Sequence, residues 1–155
     1  MGISRRKSVA VRVGSVAIGG DNPIRVQSMT NTPTSDVEAT VGQIIDLVHS
    51  GSELVRVTVM DNSNAEAVPL IKKALLAKGC DVPLIGDFHF NGHLLLERFP
   101  ACAEALDKFR INPGNVGKGE KHDANFKSMI EKAIAFGKPI RIGVNAGSID
   151  QRILT

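Results

Sequence analysis

The sequence predicts an α/β fold in which a parallel sheet curls into part of a TIM-like (β/α) barrel behind an N-terminal β-hairpin. Three observations predict it. Strand-type and helix-type stretches alternate along the chain, the order of successive βαβ units. Three of the strand stretches have two unlike faces. In KFRINPGNVG (108–117) Phe109 and Ile111 alternate with Arg110 and Asn112. In PIRIGVNAGS (139–148) Ile140, Ile142 and Val144 alternate with Arg141, Gly143 and Asn145, and in LVRVTV (54–59) Val55, Val57 and Val59 oppose Arg56 and Thr58. Finally, the polar residues gather toward the C-terminal ends of these strands, where barrel sites lie.

The polar parity separates two parallel architectures. Central strands of a doubly wound sheet are covered on both faces and read as continuous apolar runs. A barrel packs one parity under its helices and turns the other inward, where it can line a ligand site. A whole barrel takes eight strands and ~250 residues, whereas this sequence of 155 residues supplies five strands. It therefore reads as a piece, with unpaired edges at its first and fifth strands. Residues 1–20 form the hairpin unit and 21–155 the first part of the barrel.

Each element follows from local chemistry. SVAVRVGSVAIGG (8–20) is two alternating runs turning at Gly14-Ser15. The first sheet strand falls at 24–30. Ser35 with Glu38 reads as a capping box, and Val37, Val41, Ile44, Ile45 and Val48 recur at helical spacing up to Gly51. After strand 54–59, Ser63 with Glu66 repeats the box. Val68, Ile71 and Leu75 form the stripe there, and Gly79 ends the helix. Strand 83–89 and a short helix at 92–98 follow. Strand 108–112 precedes a helix from about Asp123 with Phe126, Met129, Ile130, Ala133 and Ile134 inward and Gly137 at its end. Strand 139–145 is the fifth.

Composition removes several functional classes. A hydrophobic share of 43% and a charged share of 23% are those of an ordinary globular domain. Net charge of +3 is too small to argue for nucleic acid, and six Phe without Trp or Tyr make no stacking platform. No apolar run approaches the ~20 residues of a membrane span, and the basic N-terminus lacks a signal-peptide core. Cys80 and Cys102 form no CxxC, which fits a reduced, cytoplasmic, bacterial setting.

The candidate site is an anion site. An arginine at mid-strand is costly unless an anion meets it, and a guanidinium fork matches phosphate oxygens in bidentate fashion. Arg56, Arg110 and Arg141 repeat that placement, with Asn112 and Asn145 on the same parity. The bland reading pairs the arginines with interior acids such as Asp87 and makes both asparagines turn formers. Asp87 and His89 end the third strand on one parity, an acid and an imidazole able to manage protons; the alternative is a charge balance and a core histidine. His89 and His93 straddle a strand end and a helix start without a third ligand, so no metal site is expected. His49 and His122 read as surface residues at helix ends. Gly114, Gly117, Lys118 and Gly119 lack Walker A spacing and read as a pocket rim. Met29, Thr30 and Asn31 end strand one at the barrel floor or mouth, Met29 as packing.

VQSMTNT (26–32), LVRVTV (54–59), GDFHF (86–90), KFRINPGNVG (108–117) and IRIGVNAGSI (140–149), in this order and spacing, resemble 4-hydroxy-3-methylbut-2-enyl diphosphate synthase. RRKSVAVRVGSVAIGGDNPI (5–24) resembles that family's opening hairpin. The resemblance implies an oxidoreductase of the methylerythritol phosphate route to isoprenoids. Its TIM-like barrel binds 2-C-methyl-D-erythritol 2,4-cyclodiphosphate at the strand C-terminal mouth. Arg56, Arg110 and Arg141 correspond to the diphosphate clamp, Asn112 and Asn145 to substrate-contacting amides, and Asp87 and His89 to the pocket wall near the reacting carbons. It further implies a 4Fe–4S cluster on a C-terminal domain, a homodimer, and flavodoxin or ferredoxin as electron donor. Cys80 and Cys102 are not at cluster-ligand spacing, so this chain alone is expected to bind no cluster and to be inactive. A cluster-free barrel of the dihydropteroate synthase type, or a non-catalytic anion-binding or dimerisation half-barrel, is the alternative.

Overall fold

In the computed structural model, which describes residues 6–117 and 120–148, an antiparallel pair comes first: β1 (Val11–Val13) and β2 (Val16–Ile18), turning at Gly14-Ser15. Gly14 takes φ +55°, a left-handed conformation that glycine enters without strain. The sheet strands are β3 (Gln27–Met29), β4 (Leu54–Val59), β5 (Leu84–Phe88), β6 (Lys108–Ile111) and β7 (Ile140–Ile142). All pair in parallel, and their spatial order is their chain order. Right-handed crossovers then put every intervening helix on one side. A doubly wound sheet instead reverses its strand order midway. The barrel arc is the observed alternative, with β3 and β7 as outer strands.

The helices are α1 (Val37–His49), α2 (Asn62–Ala77), α3 (Gly92–Arg98), α4 (Pro100–Ala105) and α5 (Glu120–Ala135). Beneath them, Val55, Val57, Val59, Phe88, Phe109 and Ile111 pack with Ile44, Val68, Ile71, Leu75, Leu95 and Met129 in one buried cluster. Phe88 meets Phe109 edge-on, centroids 5.5 Å apart, a geometry favoured by the ring quadrupoles. At the opposite face and the N-terminal end of the strands, Val13 of the hairpin packs on Leu54 and Ile85. Arg25 ties the hairpin to β4, donating to the Ala17 carbonyl at 3.2 Å and pairing with Glu53 at 2.5 Å. The hairpin thus covers the foot of the arc and leaves the C-terminal mouth to the polar residues.

Several expected boundaries move. β3 and β7 are three residues each, shorter than 24–30 and 139–145, because an outer strand has a ladder partner on one side only. Neither serine begins its helix. Asp36 caps α1 by accepting from Ala39 N–H at 3.0 Å, and Asp61 caps α2 by accepting from Asn64 N–H at 2.8 Å. A carboxylate accepts these bonds and also meets the positive end of the helix dipole. Ser63 serves that cap, donating to Asp61 Oδ1 at 2.7 Å; the Asn64 N–H first, then this hydroxyl, hold the Asp61 carboxyl below its usual range. Cys102 lies inside α4, a second short helix that Pro100 starts at its first turn. α5 begins at Glu120, ahead of Asp123, and Ile134 on it is 74% exposed rather than inward. α5 sits at the end of the arc against α3, so only its Met129–Ala133 side is covered.

Asp36→Ala and Asp61→Ala should each lower the urea unfolding free energy by about 1 kcal/mol, whereas Ser35→Ala should leave it unchanged within error.

Candidate functional site

Register alone brings the expected residues together. Met29, Arg56, Ile85 and Lys108 are successive neighbours across β3 to β6, and Thr58, Asp87, Arg110 and Arg141 across β4 to β7. Paired residues on parallel strands share a face, so Arg56, Arg110 and Arg141 all belong to the inner one.

Asp87 is the centre of the cluster. It is 3% exposed, accepts from Arg110 Nη1 at 2.8 Å, and lies 3.5 Å from Arg56 Nε. His89 Nε2 is 3.8 Å from Asp87 Oδ2, within ion-pair range but too long for a hydrogen bond. Asp87 and His89 are therefore adjacent, as their parity predicts.

The three arginines differ in what they have left to give. Arg110 is 6% exposed and also donates from Nη2 to the Gly143 carbonyl at 3.0 Å, with Asn145 Oδ1 at 3.4 Å. Gly143 permits this approach: a Cβ there would lie 2.9 Å from Arg110 Nε. Besides Asp87, Arg56 touches Met29 Sδ at 3.1 Å from Nε and 3.0 Å from Nη2. Thioether sulfur is a weak acceptor, so much of that fork remains unsatisfied. Arg141 is exposed and, among the described residues, enters no ion pair.

Lys108 is a cation that parity reasoning passed over, although it stands two positions before Arg110 on the same face. Burial first, and then the charge of Arg141, pushes its ammonium pKa down. Among the described residues the inner face thus holds Arg56, Lys108, Arg110 and Arg141 against the carboxylate of Asp87, an excess of positive charge.

The asparagines divide. Asn145 is exposed at the mouth, at the start of the turn Ala146–Ser148. Asn112 is wholly buried; its Oδ1 accepts from Gly114 N–H at 3.1 Å and its Nδ2 donates to Ser148 Oγ at 3.0 Å. Both ends of that amide are occupied in shaping the loop. The loop is fastened to α5 as well, by Asn125 Nδ2 donating to the Val116 carbonyl at 2.7 Å. His122 does the same, with Nε2 2.7 Å from the Pro113 carbonyl and Nδ1 2.8 Å from Asp123. Both partners of His122 can only accept, so the ring bonds both when it carries two protons. Asp123 foremost, and then the Pro113 carbonyl, raise its pKa. Gly117 takes φ +140°; Lys118 and Gly119 lie outside the described residues.

A cavity of about 400 Å³ lies beside the mouth, lined by Met60, Asp61, Asn91, Leu94 and Arg98 among others. It is set between the loops that follow β4 and β5, apart from the cation cluster. The charge chemistry, and not this hollow, marks the site.

The cysteines do not fit an iron–sulfur cluster. Cluster ligation needs thiolates, and burial pushes the Cys102 thiol up to about 12. Cys80 is half-buried after α2, and among the described residues no group of three or more His, Cys, Asp or Glu could hold a metal.

A sequentially wound parallel α/β arc whose inner strand face carries more cations than acids among the described residues is a TIM-type barrel portion. A model of the GcpE TIM-barrel domain matches residues 8–155. The chain belongs to that family, the N-terminal barrel portion of the 4-hydroxy-3-methylbut-2-enyl diphosphate synthases, oxidoreductases of isoprenoid biosynthesis.

Asp87→Ala strands the buried Arg110 charge and should destabilise the protein by about 3–5 kcal/mol in denaturant unfolding; a change under about 1 kcal/mol would show that the pair holds nothing. For His122, whose folded pKa is raised above the ordinary 6.5, the sign is fixed. Its contribution is complete below that value and is lost as pH rises through the folded pKa. The stability gap between wild type and His122→Ala should therefore shrink from pH ~6 to ~8, and a gap that widens would contradict the assignment.

Proposed function

We propose that the mouth of this arc holds the diphosphate of 2-C-methyl-D-erythritol 2,4-cyclodiphosphate while the complete protein reduces it to 4-hydroxy-3-methylbut-2-enyl diphosphate. The observation that carries the reading is that Arg56, Lys108, Arg110 and Arg141 share one strand face on which Asp87 pairs with Arg56 and Arg110 alone. Arg56 and Arg141 offer the freer guanidinium forks. Arg110, locked by Asp87 and Gly143, gives its remaining donors from a fixed position. Asn145 reaches the ligand from the rim, and Asn112 acts by holding the loop.

The reaction takes up two electrons, opens the ring at a carbon–oxygen bond to phosphate and loses a hydroxyl as water. In the family an iron–sulfur cluster, fed by flavodoxin or ferredoxin, supplies the electrons. The chain's own part is to fix the diphosphate, to neutralise the charge released onto phosphate as the ring opens, and to move a proton. His89 carries that proton at Nε2, which lies 3.8 Å from Asp87 Oδ2. Without cluster ligands the chain by itself binds and does not reduce. A homodimer in the complete protein, closing this mouth with a partner's domain, belongs to the same proposal.

In the full-length protein, Arg56→Ala and Arg141→Ala should each weaken calorimetric binding of the cyclic diphosphate about 10- to 100-fold, the worth of a charge-assisted pair. Binding unchanged in the double variant would end the clamp. His89→Gln should lower turnover by about 100-fold or more with affinity retained; normal turnover would remove it as the proton carrier.

A further inference from the structure

Ser148 is where the two mouth loops meet. A serine hydroxyl has one proton and two lone pairs, and here all three are used. Ser148 Oγ accepts from Asn112 Nδ2 at 3.0 Å and from Asn145 N–H at 3.1 Å, and it donates to the Asn145 carbonyl at 2.8 Å. The Ser148 N–H closes the same turn, donating to the Asn145 carbonyl at 2.9 Å. On the far side of the contact, a Cβ on Gly114 would lie 2.0 Å from the Ser148 carbonyl oxygen. The loop after β6 is therefore pressed against the turn after β7 at a point that admits only glycine.

We propose that Ser148 is a positioning residue for the anion site: it fixes the Asn145 amide beside Arg110 and couples its placement to the loop held by Asn112. This inference rests on the anion site proposed above. Three physical consequences support it. Asn112 is fully buried, so losing the hydroxyl leaves its Nδ2 with no partner in that contact. Asn145 then loses the bond that orders its backbone N–H, and its side chain no longer has a fixed approach to Arg110 Nη2. The two loops then lose the side-chain link between Asn112 and Ser148, while the Gly143 N–H, donating to the Ile111 carbonyl, still joins the strands below them. Ser148 touches no reacting atom in this role; it sets where Asn145 and Arg110 stand before the ligand arrives.

The test uses the full-length protein with inorganic pyrophosphate as probe, reading calorimetric affinity and amide hydrogen exchange by mass spectrometry. Ser148→Ala should bind pyrophosphate about tenfold more weakly than wild type. Gly114→Ala, which parts the same loops without touching the hydroxyl, should do likewise. In the wild type, pyrophosphate should slow exchange in both 112–117 and 143–148. In Ser148→Ala that slowing should no longer reach 112–117, a loss of coupling that a merely structural serine would not produce. Wild-type binding with unmoved affinity and coupling in Ser148→Ala overturns this inference alone, as does a lowered melting temperature with affinity and coupling intact. A wild-type protein that takes up no pyrophosphate overturns the anion site, and this inference with it.

Discussion

One carboxylate makes the inner face possible. Arg110, 6% exposed, and Arg56, partly buried, carry a desolvation cost that the protein must offset. Asp87 offsets it for Arg110 at 2.8 Å and in part for Arg56 at 3.5 Å. It does so because parallel register places it beside Arg110 on the next strand and next to Thr58 on the previous one. The offset is deliberately incomplete in charge: Arg141 and Lys108 stand on the same face with no second acid among the described residues of that face. That surplus is what the proposed anion would balance.

The two parities of the strands divide the work. The helix side is a closed apolar layer that contains Val57, Phe88, Phe109 and Ile111, and it supplies the burial that holds the strands in register. The inner side trades burial for function toward the mouth and recovers it at the foot, where Val13 packs on Leu54 and Ile85. Glycine is placed where side chains or backbones must approach closely. Gly143 makes way for the Arg110 guanidinium and Gly114 for the Ser148 carbonyl. Each removes a Cβ that would otherwise displace a site residue.

What the sequence showed plainly was periodicity. β4 spans Leu54–Val59 as its alternation predicts, and Arg56, Arg110 and Arg141 share a face because a period of two leaves no other choice. Capping was less legible, since an aspartate near each serine takes the cap: Asp36, one position after Ser35, caps α1, and Asp61, two positions before Ser63, caps α2 and recruits Ser63 as its own donor. The six residues of α4 are too few to show a helical stripe. Lys108 was hidden by its position at the first residue of β6, where a lysine reads as a solvent-facing strand start. The occupation of Asn112 was invisible for a different reason: its partner Ser148 is distant in sequence, and one-dimensional spacing says nothing about which loop lies across from it.

The excess of cations over acids on the described inner face has a practical side. Such a surface attracts any doubly charged oxyanion at long range and holds it with little regard for what it is attached to. Sulfate or orthophosphate in a handling buffer would occupy it, and simple salt would shorten the reach of its field to ~8–10 Å. In the proposed site, discrimination among phosphorylated metabolites would therefore come from the carbon skeleton, read by neighbours that are not charged.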